Sequence, residues 1–241
     1  MHGEGLILGK WNFIFLLGES GGGKGTLVKN IKDFWMPGLK CTSMGDIFRE
    51  KSKTDETIKT LTEQGVLIDD DITMAIFQEF ALANTPGLID GFPRKRSQVL
   101  QAIKFIKEEG WRVLVLDLKC DIEVIIERLL ARGRADDRLD IMYKRNLDHR
   151  TLHPKVIKEI RTRPDLFDIV TLDGNKSSDY VFTEFLISLL REVELLYLYD
   201  LKDFSANFSV MQSETTVDNA LNRGLSEMLI KIQKAINESD L

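Results

Sequence analysis

Five short apolar runs punctuate the chain, at residues 12–17, 39–42, 88–90, 113–118 and 169–172. Each is too brief for a helix. The first (Asn12-Phe13-Ile14-Phe15-Leu16-Leu17) and fourth (Val113 to Leu118) are close to continuously apolar, the mark of a strand covered on both faces. Between the runs, apolar residues recur every three or four positions, the spacing of helices with one buried stripe. The pattern predicts helices after Thr26, through Ile47-Phe48-Arg49, and over 54–64, 69–84, 97–109, 121–133, 136–152 and 178–198. Gly65, Gly110 and Gly133 stand where helices need a C-terminal stop. Asp69, Asp70 and Asp71 crowd one helix start, where negative charge is favoured. Strands alternating with helices imply an α/β fold with a parallel sheet and right-handed crossovers. Residues 200–216 read as a linker. Val217, Leu221, Leu225, Leu229, Ile232 and Ile236 then mark one more amphipathic helix.

Composition narrows the class. Of 241 residues, 43% are apolar and 29% charged, enough for a sizeable core in one large domain or two small ones. The net charge of −5 argues against a nucleic-acid partner, which demands a basic face. No apolar run is long enough to span a bilayer, and the first residues lack the layout of a signal peptide. Cys41 and Cys120 sit beside strand-like runs in no metal-binding spacing, so they are expected as buried free thiols in a reducing, cytoplasmic setting.

The chemistry begins where the first strand ends, at Gly18-Glu19-Ser20-Gly21-Gly22-Gly23-Lys24-Gly25-Thr26. Glycines between a strand and a helix let successive N–H groups converge on phosphate oxygens, and the helix start adds its positive dipole end. Lys24 supplies a mobile ammonium for the phosphates, and Thr26 a hydroxyl near a metal. Gly25 stands where Ser or Thr more often follows the lysine.

Asp90 closes a buried strand, where an acid is well placed to organise a hydrated Mg²⁺. Asp46 is a second candidate for that water shell, or simply a helix-start carboxylate. Arg128 and Arg132 lie one turn apart on a helix face, Arg134 follows in a loop, and Arg145 comes three turns later. Arg49 and Arg94 adjoin glycine-containing turns. A single such arginine would be a solvated surface group. Together, at element ends on one side of the sheet, they suit a phosphate clamp.

These segments resemble the adenylate kinase branch of the nucleoside monophosphate kinases. The matching stretches are Gly18-x-x-Gly21-x-Gly23-Lys24-Gly25-Thr26, Ser43-Met44-Gly45-Asp46-x-x-Arg49, Asp90-Gly91-Phe92-Pro93-Arg94-x-x-x-Gln98 and Arg134-x-Asp136-Asp137, in the family's order over residues 12–190. The third is close to a family signature. The resemblance implies a P-loop NTP-hydrolase-like three-layer sandwich on a five-stranded parallel sheet. Residues 1–198 would form the kinase core, with an arm for the monophosphate at about 42–71 and a short lid at about 133–141. Residues 199–241 would be a C-terminal linker and helix, packed on the core or serving self-association of an otherwise monomeric protein.

The resemblance also implies roles. Gly21, Gly22, Gly23, Lys24, Gly25 and Thr26 would hold the ATP phosphates, with Arg128 flanking the adenine. Lys24, Arg94, Arg128, Arg132, Arg134 and Arg145 would neutralise the transferring group. Ser43, Met44, Arg49, Leu67, Ile68, Gly91, Arg94 and Gln98 would bind the monophosphate, while Asp136 and Asp137 lock the closed lid. Mg²⁺ would be met by Thr26 and, through water, by Asp90 and Asp46; zinc-binding lid cysteines are missing, so no structural zinc is expected.

The implied reaction is reversible phosphoryl transfer from ATP to AMP, giving two ADP. Two positions depart from the family pattern. Ser20 replaces a proline. Met44 stands where adenylate kinases have threonine and pyrimidine kinases often alanine, while Gln98 favours AMP over the pyrimidine acceptors that go with asparagine. The alternatives are a UMP/CMP kinase and a non-catalytic nucleotide-binding regulator of the same fold.

Overall fold

The computed structural model describes residues 11–36, 38–132 and 139–192, with residues 132, 139–142 and 190–192 described in backbone only. Five strands, β1 (Phe13–Gly18), β2 (Lys40–Ser43), β3 (Gly87–Asp90), β4 (Val113–Lys119) and β5 (Phe167–Asp173), form one parallel sheet in the order β2-β3-β1-β4-β5. Among the described residues, eight α-helices accompany them: α1 (Lys24–Asn30), α2 (Met44–Lys51), α3 (Glu56–Glu63), α4 (Asp70–Ala83), α5 (Arg96–Glu108), α6 (Ile122–Arg132), α7 (Leu139–Arg161) and α8 (Ser178–Glu192). A π-helical turn, Ile31–Trp35, extends α1, which the sequence pattern does not anticipate.

The central strand shows why its sequence reads as doubly buried. Phe13, Phe15 and Leu17 point to one face, where they meet Phe77, Phe92, Phe105, Ile160 and Phe167. Ile14 and Leu16 point to the other, among Leu27, Ile31, Leu116, Phe182 and Phe185. The period-two alternation of a strand splits one apolar run between two cores. The first core is rich in aromatic rings: Phe77 stacks on Phe92 at 4.6 Å and meets Phe15 edge-on at 5.3 Å. Burying each such ring contributes about 1.5–3 kcal/mol.

Parallel register carries every strand's C-terminal end to the same edge. Leu16 aligns with Asp90 and Leu116, and Gly18 with Leu118, so the loops after β1, β3 and β4 lie side by side. A crevice there is where such sheets bind ligands.

Several element ends differ from the sequence pattern. The helix expected to stop at 152 runs on to Arg161 with Pro154 inside it. A mid-helix proline costs about 3 kcal/mol, but Val156, Ile157 and Ile160 lie at 0%, 7% and 0% exposure against the sheet. Three buried aliphatics, each worth about 1.5–3 kcal/mol, outweigh it. Strand β5 begins two residues earlier than expected because Asp168 is held by Arg112 at 2.9 Å and by the Trp11 indole at 2.7 Å. Cys41 and Cys120 are free but only half-buried. Burial, opposed by Lys32, still raises the Cys41 pKa to about 11, so its thiol is a poor nucleophile. The expected lid core and the expected 199–241 extension lie outside the described residues. Among the described residues, no helix is long and apolar enough to cross a membrane.

Candidate active site

A cleft of about 740 Å³ opens at this C-terminal edge. One wall is the glycine loop between β1 and α1. Gly18, Ser20, Gly21, Gly23, Lys24, Gly25 and Thr26 line the cleft, whereas Gly22 turns its carbonyl toward Arg128. Gly21 has φ +89°, and a Cβ there would stand 2.6 Å from Leu129 Cγ. Only glycine fits both the left-handed backbone and this contact with α6. The Lys24 ammonium donates to the carbonyls of Gly18 and Glu19, both at 3.0 Å, and stands 3.7 Å from Asp90 Oδ1. That carboxylate oxygen is buried and has no hydrogen bond.

The opposite wall comes from α2, the loop after α3, and the turn after β3. Ser43, Met44, Asp46, Arg49, Leu67, Ile68, Gly91, Arg94 and Gln98 all line it. Ser43 caps α2 by accepting from the Asp46 amide at 3.0 Å, and Asp46 pairs with Arg49 at 2.5 Å. Arg94 folds back so that Nε donates to Gly91 O at 2.8 Å. Gly91, at φ +80°, leaves room for it: a Cβ would lie 2.7 Å from the guanidinium. Partial desolvation within the cleft presses the Arg94 pKa below the usual arginine range; Asp90 opposes this, and Arg145 and Arg49 reinforce it.

Gln98 is 2% exposed, and both ends of its amide are engaged. Its oxygen accepts from the Arg94 amide at 2.7 Å, and its nitrogen donates to Asp70 Oδ1 at 3.0 Å. One N–H and one lone pair remain for a ligand. Asp70 also pairs with Lys95 at 2.9 Å. Its pKa is lowered despite the opposing effect of burial, because Ser97, Lys95 and Gln98 all donate to it. An acid expected to serve the start of α4 thus braces the turn beside Arg94, while Asp69 caps the helix.

Arg128 and Arg145 also reach the cleft. Arg128 donates to Gly174 O at 2.7 Å, which ties the glycine loop's neighbour α6 to the turn after β5. Arg145 donates to Thr62 O at 3.4 Å, and Lys144 to Gln64 O at 3.0 Å, so α7 holds the α3 arm. Arg132 ends α6 and is described in backbone only; Arg134, Asp136 and Asp137 lie outside the described residues.

Sequence reasoning missed a second set. Asp148, His149 and Leu152 line the cleft one and two turns beyond Arg145, and that i, i+3, i+4, i+7 spacing was the available signal. Glu19, nearly buried in the loop, accepts from Arg150 Nε at 2.6 Å. Asp117, 1% exposed within an apolar strand, pairs with His153 Nε2 at 2.8 Å. A carboxylate there demands a buried partner, which was its signal.

A parallel sheet in this strand order, with a glycine-rich lysine loop after the central strand, defines a P-loop protein of the NTP-hydrolase type. A family model described as adenylate kinase matches residues 16–173. The chain is 30% identical over 184 residues to an adenylate kinase of Synechococcus sp. (strain WH7803), covering 73% of this chain and 97% of that protein. It is 29% identical over 211 residues to an adenylate kinase of Thermoanaerobacter sp. (strain X514), covering 71% and 94%. A uridylate kinase of Saccharomyces cerevisiae is 33% identical over 165 residues, covering 62% and 78%. The chain belongs to the adenylate kinase family.

Proposed function

We propose that this protein catalyses reversible, Mg²⁺-dependent phosphoryl transfer from ATP to AMP, giving two ADP. The observation that carries the reading is a single cleft with Lys24 and the glycine loop on one wall and Arg49, Arg94 and Gln98 on the other. Two nucleotides entering from opposite ends would meet with their phosphates between them.

The acceptor phosphate is already an anion and needs no general base. The protein's task is to bring two repelling groups in line and offset the charge spreading over the transferred group. Lys24 would leave the loop carbonyls for the donor phosphates. Arg94 and Arg49 would hold the acceptor phosphate, and Arg128, Arg132, Arg134 and Arg145 would share the charge in flight. Gln98 would read the acceptor base with its spare N–H and lone pair. A short lid at about 133–141, latched by Asp136 and Asp137, would keep water from the transferring group.

Asp90 fits a hydrated cation, since its buried Oδ1 lacks a hydrogen bond and a metal-bound water would supply one. Thr26 and Asp46 would complete the set. Mg²⁺ held by these residues would supply positive charge that offsets the charge of the donor phosphates.

A second reading, UMP/CMP kinase, is favoured by one observation. Met44 is 1% exposed and lines the acceptor wall, so no hydroxyl meets the base from that position. A coupled assay offering AMP, CMP and UMP in turn with MgATP decides between them. The AMP reading expects AMP to give a kcat/KM at least tenfold above either pyrimidine; a preference for UMP or CMP reverses it, and no ADP from any acceptor removes both.

A further inference from the structure

We propose that His149 is a further phosphate-contacting residue of this cleft: its Nε2–H donates to a nucleotide phosphate oxygen alongside Lys24 and Arg94, and His153 with buried Asp117 holds the ring in place. This rests on the phosphate-cleft reading above and adds a residue to it.

The starting point is an orphan. His149 lines the cleft with Lys24, Arg94, Asp148 and Leu152, yet its Nε2 is buried without a hydrogen-bond partner. Leaving such a group unpaired costs about 1–3 kcal/mol, a cost that an arriving oxygen would remove.

The ring is also unusually well fixed. It stacks on His153 one helical turn away, with centroids 4.4 Å apart and planes within 19°. His153 is fixed in turn by Asp117 at 2.8 Å, from the middle of the sheet. A stacked pair tethered to a rigid strand loses little freedom on binding, which is how contacts to charge in flight are made effective.

The surroundings select the ligand's sign. Around His149 stand His153 and Arg150 on its own helix, Lys24 from α1 and Arg94 from the turn before α5. Burial first, then these neighbouring groups, lower its pKa to about 3, so the ring is neutral near pH 7. A neutral imidazole offers one N–H and one lone pair. An ionised phosphate oxygen can only accept, so the Nε2–H tautomer is the one that serves. A bound polyphosphate would replace mutual repulsion with attraction for the whole basic group.

The test uses the full chain and two probes, inorganic tripolyphosphate and adenosine, with affinities measured by calorimetry for wild type, His149→Phe and His149→Gln. Phenylalanine keeps a ring on His153 but removes the donor; glutamine restores an N–H. The expected result is about tenfold weaker tripolyphosphate binding in H149F, the worth of one hydrogen bond to a charged acceptor, with most of it recovered in H149Q and adenosine unaffected in both. Equal tripolyphosphate affinity in wild type and H149F overturns the proposal, as does parallel loss of both probes, which marks a merely structural role. If H149F does not fold, the wild-type imidazole ¹⁵N spectrum decides. A protonated Nε2 at His149 that shifts with tripolyphosphate upholds the contact, and an unmoved signal overturns it. Wild type that binds no tripolyphosphate sinks the underlying phosphate-cleft reading instead.

Discussion

The two walls of the cleft are built on different principles. The wall proposed to take the donor is backbone: a glycine loop clamped between β1 and α6, with Gly21 against Leu129 and Glu19 tied to Arg150. The wall proposed to take the acceptor is side chain: Arg49 on Asp46, Arg94 on a glycine carbonyl, and an arm held from outside by Lys144 and Arg145. A backbone cradle is fixed by the core beneath it, whereas exposed side-chain pairs contribute about 0–1 kcal/mol each and exchange readily. The difference teaches which wall stores recognition in its shape and which must assemble it around the ligand.

Four expected outcomes test that contrast. Lys24→Met should lower kcat by roughly 10²–10³-fold, the usual cost of one charge-stabilising donor, and equally for every acceptor, because the donor wall is common to all. Gly91→Ala should strike the acceptor wall alone. Its Cβ would displace Arg94, and the positive φ adds about 1–3 kcal/mol of strain. Steady-state kinetics should show acceptor KM rising about tenfold or more while ATP KM holds; a matched rise in both would erase the distinction between walls.

The third outcome concerns stability against pH. His149 has a folded pKa below its unfolded value, so the unfolded chain binds a proton that the native one refuses. That contribution is complete above about pH 6.5 and is lost as pH falls from there toward the folded value of about 3, at up to about 1.4 kcal/mol per unit. Urea unfolding of His149→Phe should lack this part of the slope; an unchanged slope would show that the ring is not where the native state resists protonation. The smallest effect should come from Lys144→Ala, which removes an exposed tether on the acceptor arm. Acceptor KM should change less than about threefold, and a larger change would mean the arm is more firmly fixed than its contacts suggest.

What could be read from the chain follows the same division. The glycine loop, the strand beneath it and Asp90-Gly91-Phe92-Pro93-Arg94 are local: spacing, periodicity and turn chemistry specify them within a dozen residues. The pairs Glu19–Arg150 and Asp117–His153 join residues 131 and 36 positions apart. No local pattern encodes such a partner, only the demand for one. Asp70 is the instructive case, since helix-start chemistry explained it adequately while Lys95, Ser97 and Gln98 claimed it across the fold. The end expected at 152 failed for the converse reason: α7 runs on through Pro154, a local breaker overruled by burial that only the sheet supplies.

Helix α7 has a consequence of its own. Along one rod, Lys144 and Arg145 address the arm, Arg150 the glycine loop, and His153 the sheet. Each residue of an α-helix advances the azimuth by about 100°, so the phase between these teeth is as much a part of the mechanism as their identity. A single residue inserted after Arg145 would leave every side chain present and every helix intact, yet it would turn the whole gear out of mesh.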